Sequence, residues 1–144
     1  MPEILHDVEL INDLEKEHEI LIELFLSSLK DGYEQGNLEI SCEKLTKFKQ
    51  LFQNHLAKEN VQLFSYLEQS VKWHPTSLKR VRKFRKELNE NSKTIIQFCK
   101  KYSRPIDIVV VQKSFEDEFK RTCKELIQRI QLVEAKMYTL YDAN

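Results

Sequence analysis

The chain has 144 residues with 23 basic and 23 acidic side chains, and its formal net charge of zero leaves no global field to draw it to nucleic acid or an anionic membrane. That length suits one domain, residues 1–144, with a core large enough to fold without disulfides or a structural metal. Two glycines and three prolines, with 32% charged and 41% hydrophobic residues, favour long helices over sheets and argue against a disordered chain.

Apolar residues at Leu14, Leu21, Leu24, Phe25 and Leu29 recur at helical spacing. They predict a first helix from about Val8 to about Lys30, stopped by "KDGYEQGN", which holds both glycines. A second helix begins after Asn37, runs through Leu45, Phe48, Leu51, Phe52, Leu56, Leu63, Phe64 and Leu67, and fades before "WHPTS". Thr76 or Ser77 is expected to cap a third, whose apolar positions Leu78, Val81, Phe84, Leu88, Ile95, Ile96 and Phe98 lead to the loop "YSRP". The last segment, about Ile106 to Tyr141, opens with "IDIVVV", a β-branched run that alone would suggest a strand. A single strand has nothing to pair with, and helical spacing continues behind it, so the whole segment is assigned to helix. Four such helices joined by short loops predict an all-α fold, an antiparallel up-down-up-down four-helix bundle whose facing helices can present ligands to the interior.

Cys42, Cys99 and Cys123 are odd in number and widely spaced, with no CxxC pair, which suits buried reduced thiols in a cytoplasm better than a disulfide framework. Acidic residues from Glu3 to Glu17 precede any apolar run and argue against a secretory leader. The run "ILIELFL" is broken by Glu23, and nothing approaches the roughly 20 apolar residues of a membrane span. The expectation is a soluble, cytoplasmic protein.

Self-comparison finds one productive offset. Shifting the chain by 74 residues lays "LEKEHEILIELF", from Leu14, over "LNENSKTIIQFC", from Leu88, without a gap. The same shift lays "FQNHLAKENVQLFSYL" over "LIQRIQLVEAKMYTLY", so that Phe52 meets Leu126, Leu63 meets Met137 and Phe64 meets Tyr138. Any two amphipathic helices share a period of 3.6, but one ungapped offset serving two helices is more than that period requires. In this register His18 is matched by Ser92, His55 by Arg129 and Glu59 by Val133, while Glu134 supplies a carboxylate nearby.

His55 and Glu59, one turn apart in "FQNHLAKENVQLF", can grip a metal or form an ordinary solvated pair. With the helix order and His18, this stretch resembles the hemerythrin-like (HHE) family of four-helix bundles. Members carry one histidine on helix one, His-x-x-x-Glu on helix two, His-x-x-x-His on helix three and His-x-x-x-x-Asp or Glu on helix four, and together these bind two oxygen-bridged irons. The resemblance implies metal ligands at His18, His55, Glu59 and Glu134. The remaining histidine positions fall on Leu88, Ser92 and Arg129, so the second-metal site is degenerate and at most one metal is expected.

The surviving set of imidazoles and carboxylates suits iron(II), zinc(II) or manganese(II) without choosing among them. The cofactor expectation is one iron or zinc ion, or none. In the metal-free alternative, the Arg129 guanidinium bridges Glu59 and Glu134, because a buried carboxylate pair with no cation would be costly. A third possibility is that these are surface residues unrelated to the family.

"LKRVRKFRK", Leu78 to Lys86, places Arg80, Arg82, Lys83, Arg85 and Lys86 beside a core stripe. It reads either as a solvated helix face or as an anion or partner patch. The cluster opposes the macrodipole of a helix that starts there. His6 and His74 read as surface histidines, "EDE" at 116–118 as a solvated face, and Trp73 as closing one end of the bundle. No Gly-rich phosphate loop exists, and no thiol is placed beside His18 or His55 as a nucleophile. The functional expectation is sensing or regulation through an unknown protein partner, in place of di-iron oxygen carriage or catalysis, with the oligomeric state open. The alternative is a mononuclear iron protein with oxygen- or peroxide-linked activity.

Overall fold

The computed structural model describes residues 3–143, which are mostly helical and among which there is no strand. Four helices are long: α1 (Leu10–Ser27), α2 (Leu38–Lys58), α4 (Pro75–Lys101) and α6 (Gln112–Val133). Three are short: α3 (Ser65–Ser70), α5 (Pro105–Val109) and α7 (Thr139–Ala143). π-helical turns extend α1 over Ser28–Gly32, join α2 to α3 over Glu59–Phe64, and join α6 to α7 over Glu134–Tyr138.

Local chemistry sets the boundaries. The Asn37 side chain caps α2 by accepting from the Ile40 N–H at 3.2 Å. Gly36 takes φ 72°, the left-handed conformation that lets the connector turn there. Gly32 packs so tightly on α2 that an added Cβ would lie 2.6 Å from the Ser41 backbone nitrogen. The third long helix begins at Pro75, with His74 as a non-helical N-cap and no side-chain bond. This moves the start ahead of Thr76 and Ser77, because proline has no N–H to lose at the first helical position.

The fourth segment departs from an unbroken helix. Arg104 and Asp107 close a capping box around α5, and the chain then breaks at Val110 and Val111 before α6 starts. Within the β-branched run only Ile108 is buried, in α5; Val110 and Val111 are exposed and gain no packing that would hold them helical. Trp73 is 81% exposed, with Lys72 over its ring, and therefore does not close the end of the core.

Two hydrophobic clusters form the interior. The first is aromatic, with Phe25, Phe48, Phe52, Phe98, Phe115, Phe119 and Tyr102, and the Phe25 and Phe119 rings stack at 4.6 Å. The second is largely aliphatic and includes Leu10, Leu14, Leu63, Leu67, Val81, Leu88 and Val133. Burial of each such side chain is worth about 1.5–3 kcal/mol. Along every long helix the two clusters are separated by a buried polar residue: His18 between Leu14 and Leu21, His55 between Phe52 and Leu63, Ser92 between Leu88 and Ile95, and Arg129 between Leu126 and Val133.

Cross-helix bonds relate the long helices. Lys44 donates to Ser27 and Lys58 to Glu17, tying α2 to α1, while Lys101 donates to Glu118, tying α4 to α6. Tyr33, beyond the end of α1, donates to Glu116 near the start of α6. At the other end, His6 stacks on Tyr141 at 4.4 Å. Among the described residues no helix is long and apolar enough to cross a membrane.

Candidate metal centre

The polar layer repeats a single spacing. His18 Nε2 lies 3.1 Å from His55 Nε2, and Arg129 Nε donates to Ser92 Oγ at 2.7 Å, each bond joining residues 37 apart. The shift that lays 18 over 92 and 55 over 129 therefore superposes contacts as well as residue types. The π turns follow it too: one ends at Phe64 and the other at Tyr138, the positions that the same shift pairs. A π turn widens the helix by one residue and re-aims the side chains around it, and such turns are common at functional sites.

The first π turn starts at Glu59, which is fully buried. Glu59 divides its oxygens: Oε1 accepts from Arg129 Nη2 at 2.7 Å, while Oε2 lies 3.0 Å from His55 Nε2 and accepts from the Tyr138 hydroxyl at 2.9 Å. The Tyr138 hydroxyl is also 3.2 Å from His18 Nε2, and its ring lies parallel to the His18 ring at 5.5 Å. Burial alone would raise the Glu59 pKa, but the Arg129 guanidinium and the His55 bond overcome it and hold the carboxyl ionised far below the usual range. Burial, together with the neighbouring His55, pushes His18 down to about 3, so its imidazole is neutral. Burial, the Glu59 charge and the bond to Glu59 keep the Tyr138 phenol protonated.

Both imidazoles point Nε2 inward and Nδ1 outward. His55 Nδ1 donates to Glu17 Oε1 at 2.8 Å, and Lys58 Nζ donates to the other Glu17 oxygen at 2.9 Å. Burial favours the neutral Glu17 carboxyl, but the Lys58 and His55 bonds prevail and keep it ionised. His18 Nδ1 has no hydrogen-bond partner, and Glu134 Oε1 lies 3.8 Å from it. Burial and the neighbouring Glu15 and Glu19 charges raise the Glu134 pKa.

His18, His55 and Glu59 thus form a buried group that could hold a metal ion, with their donor atoms within 4.8 Å of one another. Glu134 is not in that group. It stands at the half-exposed rim, on the Nδ1 side of His18. Leu88 and Ser92 are buried on α4, where the Ser92 hydroxyl donates to the Leu88 carbonyl and accepts from Arg129. Arg129 bonds Glu59 and Ser92; a bridge from it to Glu134, expected for the metal-free site, is not among its bonds. Glu134 sits five residues further along, past the end of α6, where the π turn carries it to the rim.

Of the basic run, Lys79, Arg80, Arg82, Lys83 and Lys86 are exposed, whereas Arg85 folds back onto Asn60 and Glu68. Sequence reasoning passed over Tyr138 and Glu17. Tyr138 was matched with Phe64 as a core position, and the signal was the hydroxyl on one member of that pair. Glu17, next to His18, had no signal in the sequence, since its partners are on α2.

No family model, curated protein or solved structure matches this chain.

Donor chemistry tests the fit of an ion. With its Nδ1 proton given to Glu17, His55 turns a lone pair toward Glu59 Oε2, itself an acceptor, so a proton or a metal cation must lie between them. Bonds of about 2.0–2.2 Å to a tetrahedral ion place donors about 3.4 Å apart. The separations here are 3.1 Å between the imidazole nitrogens, 3.0 Å from His55 to Glu59 and 4.0 Å from His18 to Glu59. A cavity of about 330 Å³, lined by Glu17, Leu21, Leu51, His55 and Lys58, reaches His55 from the surface.

Proposed function

We propose that this chain is a single-domain, antiparallel up-down-up-down bundle that binds one metal ion through His18, His55 and Glu59 and works as a sensor or regulator. The bonds from α1 to α2 and from α4 to α6 support the bundle. In this reading the chain is similar to hemerythrin-like proteins but retains one metal position.

The observation that carries the reading is the convergence of two imidazole nitrogens and a carboxylate oxygen, all buried and within 4.8 Å of one another. Arg129 is the reason for a single ion. It takes Glu59 Oε1 and leaves Oε2 to His55 and Tyr138, so its permanent charge stands where a second metal would need ligands. Carboxylates on the outer nitrogens are what ligating histidines use to fix their orientation, as Glu17 does for His55. Because every one of these ligands is buried, occupancy itself is the output. An ion present at 100 times its dissociation constant would stabilise the fold by about 2.7 kcal/mol, tightening α1, α2 and the π turn that leads to α3. The exposed basic residues of α4 are the surface this reading assigns to an acidic protein partner.

Elemental analysis after equilibrium dialysis against zinc(II) and iron(II), with circular dichroism to verify folding, tests the proposal. One ion per chain is expected, falling to none in His55→Ala. Two ions would overturn the assignment of Arg129, and none would favour a metal-free Arg–Glu network. That second reading draws on the fact that Glu59 already accepts from Arg129 and Tyr138.

A further inference from the structure

We infer that Tyr138 is the fourth ligand of this centre, bound as a phenolate, and that the completed cage of two imidazoles, one carboxylate and one phenolate selects ferric iron. The inference rests on the mononuclear reading above and adds to it the donor that decides which ion is held.

The Tyr138 oxygen already stands 2.9 Å from Glu59 Oε2 and 3.2 Å from His18 Nε2, two of the three other donors, near the roughly 3.4 Å spacing of ligands on a tetrahedral ion. Its ring is buried and held parallel to His18, so the oxygen is fixed before any ion arrives. The second π turn ends at Tyr138 as the first begins at Glu59, so both oxygen donors come from the widened turns while both nitrogen donors come from regular helix. The residue that the internal repeat places opposite, Phe64, has the same ring without the hydroxyl and lies in the aliphatic cluster. A tyrosine is therefore not needed there for packing alone.

Charge selects the ion. Two anionic oxygens offset more of a trivalent charge than Glu59 could alone, and hard oxygen donors favour a hard cation. On binding, the phenolic O–H bond breaks, an iron–oxygen bond forms, and the proton leaves to solvent. The iron enters and stays ferric, so no electron is transferred. The hydrogen bond that Tyr138 gives Glu59 is replaced by a shared metal.

The test titrates metal-free protein with ferric nitrilotriacetate and, separately, with zinc(II), following stoichiometry, visible absorption and resonance Raman. A phenolate-to-iron charge-transfer band with tyrosinate vibrations is expected, saturating at one iron per chain. In Tyr138→Phe the band should vanish and ferric affinity fall about 10-fold or more, with zinc still bound. Binding of one ion without the band, or a band that survives in Tyr138→Phe, overturns Tyr138 as ligand and leaves the mononuclear centre standing. Binding of neither ion overturns both. The vibrational signature of the wild-type protein decides the matter even if the variant fails to fold.

Discussion

The two halves of the polar layer carry the same spacing and opposite chemistry. In the N-terminal half, two imidazoles meet Nε2 to Nε2 beside the second oxygen of Glu59. In the C-terminal half, the equivalent positions are a hydroxyl and a guanidinium, Ser92 and Arg129, already bonded and already charged. Like spacing with unlike side chains shows that the backbone sets where ligands can stand and the side chains set how many ions the site accepts. A permanent cation on one side makes the layer stable without metal on that side and leaves only the other side open.

Breaking the guanidinium side should have the largest effect. Arg129→Ala strands a fully buried carboxylate and is expected to cost about 3–5 kcal/mol in urea unfolding. Replacing Glu59 and Arg129 together by leucine should recover most of that loss while abolishing metal binding. A double variant no more stable than Arg129→Ala would mean that the pair is not what makes Arg129 necessary.

Acid should separate the halves next. Burial holds His18 down to about 3, against 6.5 for a free imidazole, so between those values the unfolded chain binds a proton that the metal-free folded chain refuses. Stability therefore falls as pH drops below about 6.5, by up to about 1.4 kcal/mol per pH unit from this group. The depressed Glu59 adds a loss of the same sign below the ordinary carboxylate range. Denaturation midpoints measured from pH 7 to pH 4 should show this slope, reduced in His18→Phe.

The outer carboxylate sharpens the same contrast more gently. Glu17→Gln removes the charge that orients His55 and should weaken metal binding about 10-fold, with little change in the stability of the metal-free protein. Equal affinity in Glu17→Gln and wild type would dismiss Glu17 as a positioning residue. The smallest effect is at the thiols. Burial pushes Cys99 up to about 12, so in native protein near pH 8 a disulfide reagent should label the half-buried Cys123 first and Cys99 only on unfolding.

Much of this molecule was readable before its coordinates. The period of Leu14, Leu21 and Phe25, or of Phe48, Phe52 and Leu63, fixes helices and their buried faces because side-chain direction in a helix follows from sequence spacing alone. The same logic brought His18, His55 and Glu59 to inward positions and paired His18 with Ser92 and His55 with Arg129. It misjudged Val110, Val111 and Trp73, where the outcome depends on whether a neighbour arrives to cover them. It also could not separate Glu134 from Tyr138, four residues later. One π turn sends Glu134 to the rim and brings the Tyr138 hydroxyl onto Glu59. A spacing along one helix determines which face a residue shares; only the packing of four helices against one another determines which atoms meet, since those distances depend on axis separation, rotation and the local widening of a turn.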